Sequence, residues 1–161
     1  MLNNFLSFEG PSIIGSCQFK GHENAVEILN WGFDCTQAQS PLRDSGGKAK
    51  LSALRLTKFT DNASDDLLKH LWGGVTIAKA ELQCYRATGE QVGQIGARYL
   101  TITLEGVIVT KYEIRDDPGD QAIENIELSF AKITWAYSPV SGNVPGPVQC
   151  VMFDQRTNEL A

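Results

Sequence analysis

Two stretches of alternating apolar and polar positions dominate the chain, Arg98–Tyr112 and Glu124–Tyr137, joined through the turn-forming Asp116-Asp117-Pro118-Gly119-Asp120. In the first, Leu100, Ile102 and Leu104 alternate with Tyr99, Thr101, Thr103 and Glu105. In the second, Ile126, Leu128 and Phe130 alternate with Asn125, Glu127 and Ser129. A period of two places one set on the buried face of a strand and the other toward water. In both stretches the phase then breaks. Past Phe130 the apolar set becomes Ile133, Trp135 and Tyr137, and past Gly106 the residues Val107, Ile108 and Val109 are all apolar. A shift of one residue turns every later side chain over. It predicts either a bulge near Ala131-Lys132 or a strand whose far half faces a second surface, covered by a helix or by another subunit.

The rest of the chain reads in the same terms. Asn4–Phe8 alternates weakly as a first short strand. Gly10-Pro11, Gly15-Ser16 and Gly21 break the next segment into loop, with a short strand around Ser16–Phe19. Glu27–Thr36 is expected to be one strand, with Leu29, Trp31, Phe33 and Cys35 on one face and Asn30, Gly32 and Asp34 on the other. The second face carries only small or polar groups and should be wet. Ala38–Lys48 is loop, apolar only at Leu42, and longer than a hairpin turn needs, a length common in functional loops. Strand resumes over Lys50–Thr60.

One helix is expected, about Asp65–Trp72, with Ser64 as N-cap, Asp65 and Asp66 at the positive end of the dipole, and Gly73-Gly74 as the stop. Leu67, Leu68, Leu71 and Trp72 would form the stripe that meets the sheet. Lys79–Ala87 reads as strand, Gly89–Gly96 as turn, Ser141–Pro147 as a linker-like turn and Val148–Phe153 as the closing strand. About seven strands with one short helix, and no alternation of helix with strand, favour an all-β barrel or sandwich.

Composition narrows the function classes. A chain of 161 residues with 42% hydrophobic and 20% charged residues has the make-up of a globular domain with a sizeable core. The net charge of −5 and scattered basic residues favour neither nucleic acid nor an anionic membrane as partner. The start, Met1-Leu2-Asn3-Asn4-Phe5-Leu6-Ser7-Phe8-Glu9, lacks the basic and apolar regions of a signal peptide, and no apolar run reaches membrane-spanning length. The expectation is a cytoplasmic protein whose export uses a route that reads no N-terminal signal. Cys17, Cys35, Cys84 and Cys150 have no metal-knuckle spacing and read as reduced, buried hydrophobes. His22 and His70 have no metal-ligand spacing, and neither HExxH nor GxSxG occurs. Gly93-Gln94-Ile95-Gly96 lacks the Lys-Ser/Thr of a phosphate loop. Asp116, Asp117 and Asp120 read as turn formers rather than as a cation site. No catalytic residue, metal or cofactor is expected, and enzyme is the less favoured class.

The ordered set of motifs resembles the haemolysin-coregulated protein family, Hcp, of bacterial type VI secretion. The residues that carry the resemblance are His22 followed by Val26-Glu27-Ile28-Leu29 and Trp31, then Leu56-Thr57-Lys58-Phe59-Thr60-Asp61 ahead of the helix. Tyr99–Leu104 with Val107 and Val109 follows, then Glu124–Phe130 with Ile133, Trp135, Tyr137 and Pro139, and finally Phe153-Asp154 with Asn158. The match runs almost end to end. It departs at Gly15-Ser16-Cys17, where the family has Gly-Glu-Ser, at Asp65, where a Pro is common, and at Phe153, where Trp is usual.

The resemblance implies one Hcp-like domain over residues 1–161, mainly β, as a tight β-barrel of two antiparallel sheets with one short α-helix on the side. It implies a homohexameric ring, rings stacked into the inner tube of a contractile injection machine, contacts with sheath, spike and baseplate proteins, small effector proteins in the lumen, and secretion of the protein itself. Neither nucleic acid nor membrane insertion is implied. By alignment on Trp31, the face of Asn30, Gly32 and Asp34 corresponds to the lumen, and the loop bearing Pro41, Leu42, Arg43 and Asp44 to the segment that touches the next ring. Enzyme fusions in the family are C-terminal extensions, and none is expected with so few residues after Phe153. A phage tail-tube protein and a small-ligand carrier that uses its barrel interior stand as alternatives.

Overall fold

The computed structural model describes residues 4–38, 41–42, 48–87, 96–141 and 144–161. The strands begin with β1 (Asn4–Glu9), β2 (Val26–Ile28), β3 (Asn30–Gly32), β4 (Cys35–Gln37), β5 (Ala49–Leu51) and β6 (Leu54–Phe59). Helix α1 (Ser64–Gly73) follows, then β7 (Ile77–Arg86), the long β8 (Ala97–Arg115), β9 (Ile123–Ser129) and β10 (Lys132–Tyr137). Short strands β11 (Val140–Ser141) and β12 (Val144–Pro145) precede β13 (Gln149–Asp154) and β14 (Glu159–Leu160). Among the described residues the fold is mainly β with one helix, as the patterning predicts, and has the two main antiparallel sheets that the resemblance implies.

The two long runs form a single bent hairpin. The β9–β10 run lies along β8 from end to end, but β8 belongs to two sheets. Its first half pairs with β10 (Leu104 opposite Ile133) and its second half with β9 (Val109 opposite Leu128). The bend falls where both phases break. Gly106 has φ +65°, and Phe130-Ala131 leave the ladder between β9 and β10. The Ala131 amide closes the corner on the carbonyls of Glu105 (2.9 Å) and Gly106 (3.2 Å). Of the two outcomes the phase break allows, the strand turning to a second surface is the one found. A separate register shift sits between Val109 and Lys111.

The first sheet runs β14-β13-β10-β8-β7-β1-β2, and the second runs β3-β6-β9 to the far half of β8. The hydrogen-bonded ladder does not run fully round. Where β2 of the first sheet gives way to β3 of the second, Leu29 N–H donates to the Thr57 carbonyl at 2.8 Å. The core between the sheets is filled by the predicted inward sets, Leu100, Ile102 and Leu104 with Ile126, Leu128 and Phe130, joined by Leu6, Val26, Ile28, Leu54, Leu56 and Leu82.

Several expectations are corrected. Glu27–Thr36 is three short strands: β2 pairs with β1, β3 with β6, and β4 with β5. The chain crosses a corner between sheets here, so no single ladder can hold it. Val26 and Ile28 are the deeply buried pair, Trp31 and Phe33 only half-bury, and Cys35 is exposed. Lys50–Thr60 likewise divides into β5 and β6. Ser16–Phe19 is no assigned strand, although Asn24 N–H donates to the Cys17 carbonyl at 2.9 Å and Cys17 N–H to the Ala25 carbonyl at 3.1 Å. The last run does not close the barrel. It forms an outer strand beside β10, with β14 as the sheet's edge.

Helix α1 has Ala63, which carries no capping group, at its N-cap position, with Ser64 one residue inside the helix rather than capping it, and it ends on Gly74 in the left-handed region. Leu67 is buried and Leu71 partly so, but Trp72 is 75% exposed. Cys17 and Cys84 are buried and Cys35 and Cys150 exposed, all four as free thiols. Burial pushes the Cys84 thiol up to about 11, which leaves it unreactive. The Gly89–Gly96 turn lies outside the described residues except for Gly96, as do residues 142–143 of the linker-like turn.

The corner makes a prediction. A Cβ on Gly106 would meet the Ala131 Cβ at 3.0 Å and would hold a side chain at a positive φ. Gly106→Ala should therefore destabilise the fold by about 1–2 kcal/mol in urea unfolding. Adding Ala131→Gly should recover only the part that comes from the contact.

Candidate functional site

The residues expected to face a channel lie on the outward side of the second sheet. Asn30 and Asp34 are exposed and Gly32 is half-exposed. Register sets two rows across this face: Asn30, Thr57, Asn125 and Glu113, then Gly32, Arg55, Glu127 and Lys111. Together they line a shallow open basin of about 500 Å³. Phe59 and Ile108, each about two-fifths exposed, and Ile114, about half exposed, are the larger apolar groups left in contact with water on β6 and the far half of β8. Asp34 is held by Arg55 Nη1 at 2.9 Å, and its backbone amide donates to the Ser52 hydroxyl. The Arg55 and Ser52 hydrogen bonds to its carboxylate pull that group below its usual range.

Sequence reasoning named the β3 residues of this face and missed its other three strands. The signal was present: Asn125, Glu127 and Ser129 are the polar phase of the second run, and Arg55 and Thr57 the polar phase of β6. Only pairing shows that these phases share one surface.

Behind the face sits a buried ionic cluster. Lys58 and Glu124 share the inward phase of their strands with Leu56 and Ile126, and their side chains are 1% and 0% exposed. Lys58 Nζ reaches Glu124 Oε1 at 2.8 Å, Asp61 Oδ1 at 2.9 Å, the Phe59 carbonyl at 2.9 Å and the Ser64 hydroxyl at 3.1 Å. Tyr112 on β8 donates to the other Glu124 oxygen at 2.7 Å. Burial by itself would raise the Glu124 pKa, but hydrogen bonds from Lys58, Tyr112 and Ser64 outweigh it and hold the carboxyl below its usual range. Burial, and then the bond to Glu124, push the Tyr112 hydroxyl far up. The cluster ties β6, β9, β8 and the start of α1 together, and the Ser64 hydroxyl also accepts from the Asp61 amide at 3.0 Å.

The loop expected to contact another ring rises from the β4–β5 ladder, in which Cys35 faces Leu51 and Gln37 faces Ala49. Pro41 and Leu42 are exposed there, Leu42 at 91%. Arg43 and Asp44 lie outside the described residues. His22 is stacked on Phe5, ring centroids 4.4 Å apart, with Tyr85 edge-on at 5.1 Å. Burial, with Arg98 nearby, lowers its pKa. Among the described residues no three His, Cys, Asp or Glu side chains are placed to hold a metal ion, and no helix is long and apolar enough to cross a membrane.

Among the described residues the second sheet has two open edges. β3 pairs only with β6, and β8 beyond Val107 pairs only with β9, because β7 leaves β8 at Ile77 opposite Val107. Large apolar groups are also exposed outside this sheet face. Helix α1, which packs on β8, exposes Trp72, with Val75 just beyond it. On the β13–β10 side Trp135 (37%), stacked on Tyr137, and Leu160 (74%) are uncovered.

Comparison with known proteins identifies relatives. The family described as "Type VI secretion system effector, Hcp" matches residues 5–137. The "Major exported protein" of Pseudomonas aeruginosa is 29% identical over 141 residues, covering 80% of this chain and 77% of that protein. Among solved structures, Hcp1 from Salmonella typhimurium aligns over 100% of both chains with a TM-score of 0.80 and 24% identity. A type VI secretion system effector from Yersinia pestis aligns over 94% of this chain and 99% of its own, with a TM-score of 0.74 and 25% identity.

The ionic cluster is directly testable. Lys58→Met leaves Glu124 buried without its cation and should cost about 3–5 kcal/mol at neutral pH. Glu124 has a lowered folded pKa, so its contribution in the wild type is present above the unfolded value, about 4.3, and is lost as pH falls through the folded value. In Lys58→Met the carboxyl takes up its proton at higher pH, so the deficit measured by denaturant unfolding should shrink on acidification. A deficit that does not change with pH would mean that Glu124 is not the group left stranded.

Proposed function

The chain belongs to the Hcp family of type VI secretion system proteins, and from that premise we propose that it is a tube subunit. Six copies associate into a ring, rings stack, and the outward face of the second sheet lines a lumen that carries small effector proteins. The observation that carries this reading is the pair of open edges on that sheet. An unpaired edge strand is a template for another chain, and this protein leaves one on each side of the same four strands. Joining the β8 edge of one copy to the β3 edge of the next extends the sheet and sets its polar faces side by side around a channel. The exposed Trp72 and Trp135 support contacts with further copies, because uncovered apolar groups mark interaction surfaces.

The remaining assignments follow from this arrangement. Asn30, Gly32 and Asp34 face the lumen, short side chains that let cargo move without gripping it. The β4–β5 arm, with Pro41, Leu42, Arg43 and Asp44 at its tip, contacts the adjacent ring. The outer face of the first sheet is left for the sheath, and ring ends for spike and baseplate. The protein is made in the cytoplasm and leaves by the type VI route with the tube. It acts as a structural unit, not as an enzyme.

Native mass measurement and negative-stain microscopy test the core of this reading. A species at six times the 17.6 kDa chain, seen as a ring, is expected. A clean monomer at high concentration overturns it. Ile108→Lys puts a charge on the open β8 edge and should shift the ring to monomer without loss of the folded unit's circular dichroism. Gly32→Arg tests the lumen. A Cβ there meets only Arg55 Nη2, at 3.5 Å, so the fold accepts a side chain. The ring should persist while cargo retention is lost, and loss of the ring itself would show the lumen misplaced.

A further inference from the structure

The outward face of the second sheet is neutral, on a chain whose net charge is −5. On its strands and at Asp34 just past β3, the cations Arg55, Lys111 and Arg115 stand against the anions Asp34, Glu113 and Glu127. The balance is local as well as total. Arg55 pairs with Asp34 at 2.9 Å and Lys111 with Glu127 at 3.7 Å. Glu113 accepts from Asn125 Nδ2 at 3.3 Å, and the Asn125 carbonyl oxygen accepts from Thr57 at 2.9 Å. Arg115 sits at the rim, next in sequence to Asp116 and Asp117.

Neighbouring charges of opposite sign leave only a dipolar field, which salt screens within about 8 Å. A cation already paired on the wall also gains little from a phosphate or carboxylate, since it must first leave its partner. Unpaired cations behave differently: each one that neutralises a phosphate releases a counterion and adds affinity. Six copies of an unbalanced face around one channel would therefore hold polyanions firmly.

We propose that the channel wall is blind to the sign of a cargo's charge, and that Glu113 and Glu127 are the residues that make it so, Glu127 by pairing with Lys111 and Glu113 by supplying the further negative charge that brings the face to neutral. This rests on the reading of the sheet as the lumen wall. Retention in such a channel is set by fit and confinement, and nucleic acid gains no hold on it.

The test uses the assembled ring, verified by native mass, and a fluorescently labelled single-stranded DNA oligonucleotide followed by anisotropy at about 50 mM salt. The wild-type ring should show no binding. Glu113→Gln with Glu127→Gln makes each face net positive, and the ring should then bind the DNA about tenfold or more tightly than wild type, with affinity falling as salt rises. Glu9→Gln with Glu159→Gln changes the net charge equally at exposed residues away from this sheet and should leave DNA unbound. Arg55→Gln with Lys111→Gln should raise the binding of labelled polylysine relative to wild type, a ratio in which binding to the acidic exterior cancels. A wild-type ring that binds DNA as well as the Glu113/Glu127 variant does, or a variant ring with no gain, overturns the proposal and leaves the tube reading standing. A chain that forms no ring overturns the tube reading and this proposal with it.

Discussion

The bent hairpin of β8 with β9 and β10 is the constraint on which the architecture depends. A strand that serves one sheet needs one inward phase. β8 serves two, so its inward phase must be re-aimed halfway, and the backbone must turn without losing its ladder. Gly106 permits that turn because its positive φ costs it nothing, whereas any side chain there would pay for the conformation. On the partner run the same turn is made by two residues outside the ladder, Phe130 and Ala131, with the Ala131 amide held by the Glu105 and Gly106 carbonyls. Phe130 is not wasted in the break; it stays buried and fills the inside of the corner. At this corner the two sheets are thus fixed relative to each other by the covalent continuity of both runs, β8 and β9–β10.

The Lys58–Glu124 cluster addresses a different problem. The far half of β8 has a neighbour on one side only, and an edge strand with half its hydrogen bonds is free to fray or slip. Tyr112 anchors it from the inside, through Glu124 on β9 to Lys58 on β6. Apolar packing would tolerate a slide, but this chain of directed bonds does not. Lys58 also collects Asp61 and Ser64, so the entry to α1 is held by the same ammonium group. Burying these charges is costly, and a well-packed apolar set of similar volume could match or exceed their stability. What the cluster supplies is register, on the strand whose outer edge is proposed to meet another copy.

How much of this was legible in the sequence depended on whether a feature is set by periodicity or by pairing. The inward sets on β8, β9 and β6 follow from period two alone, and the phase break at Gly106 and Ala131 could be read before any coordinates. The division of Glu27–Thr36 could not. Its alternation runs smoothly through Leu29, Trp31 and Phe33, and only the choice of pairing partner shows that Val26–Ile28 belongs to one sheet and Asn30–Gly32 to the other. Ser64 has the composition of a cap, but the helix begins one residue earlier than that reading, with Ala63 at the N-cap and the Ser64 hydroxyl bound by Lys58 six residues upstream. A closer reading had one more clue to use. A lysine at the inward phase of Leu54 and Leu56, and a glutamate at that of Ile126 and Leu128, each need a partner, and each is the other's. Trp72 was placed with the helix's buried stripe because helical spacing cannot distinguish burial within a chain from exposure on its surface.

That last ambiguity bears on symmetry. The open edges of the second sheet are unequal: three residues on β3 against the stretch from Ile108 to Arg115 on β8. A two-fold contact would join like to like, β8 to β8 or β3 to β3, and would bury one flank while leaving the other exposed with its template unused. A contact between unlike edges uses both on every copy and repeats until a rotation closes it, which is how heterologous interfaces make rings. Trp72 on the helix and Trp135 and Leu160 on β10 and β14 are exposed apolar groups that contacts with further copies would cover. In the proposed ring, this sheet face is a surface that no neighbouring copy covers. Its freedom from large central apolar groups and its internally paired charges are what a surface needs if it must remain in water and hold nothing fast.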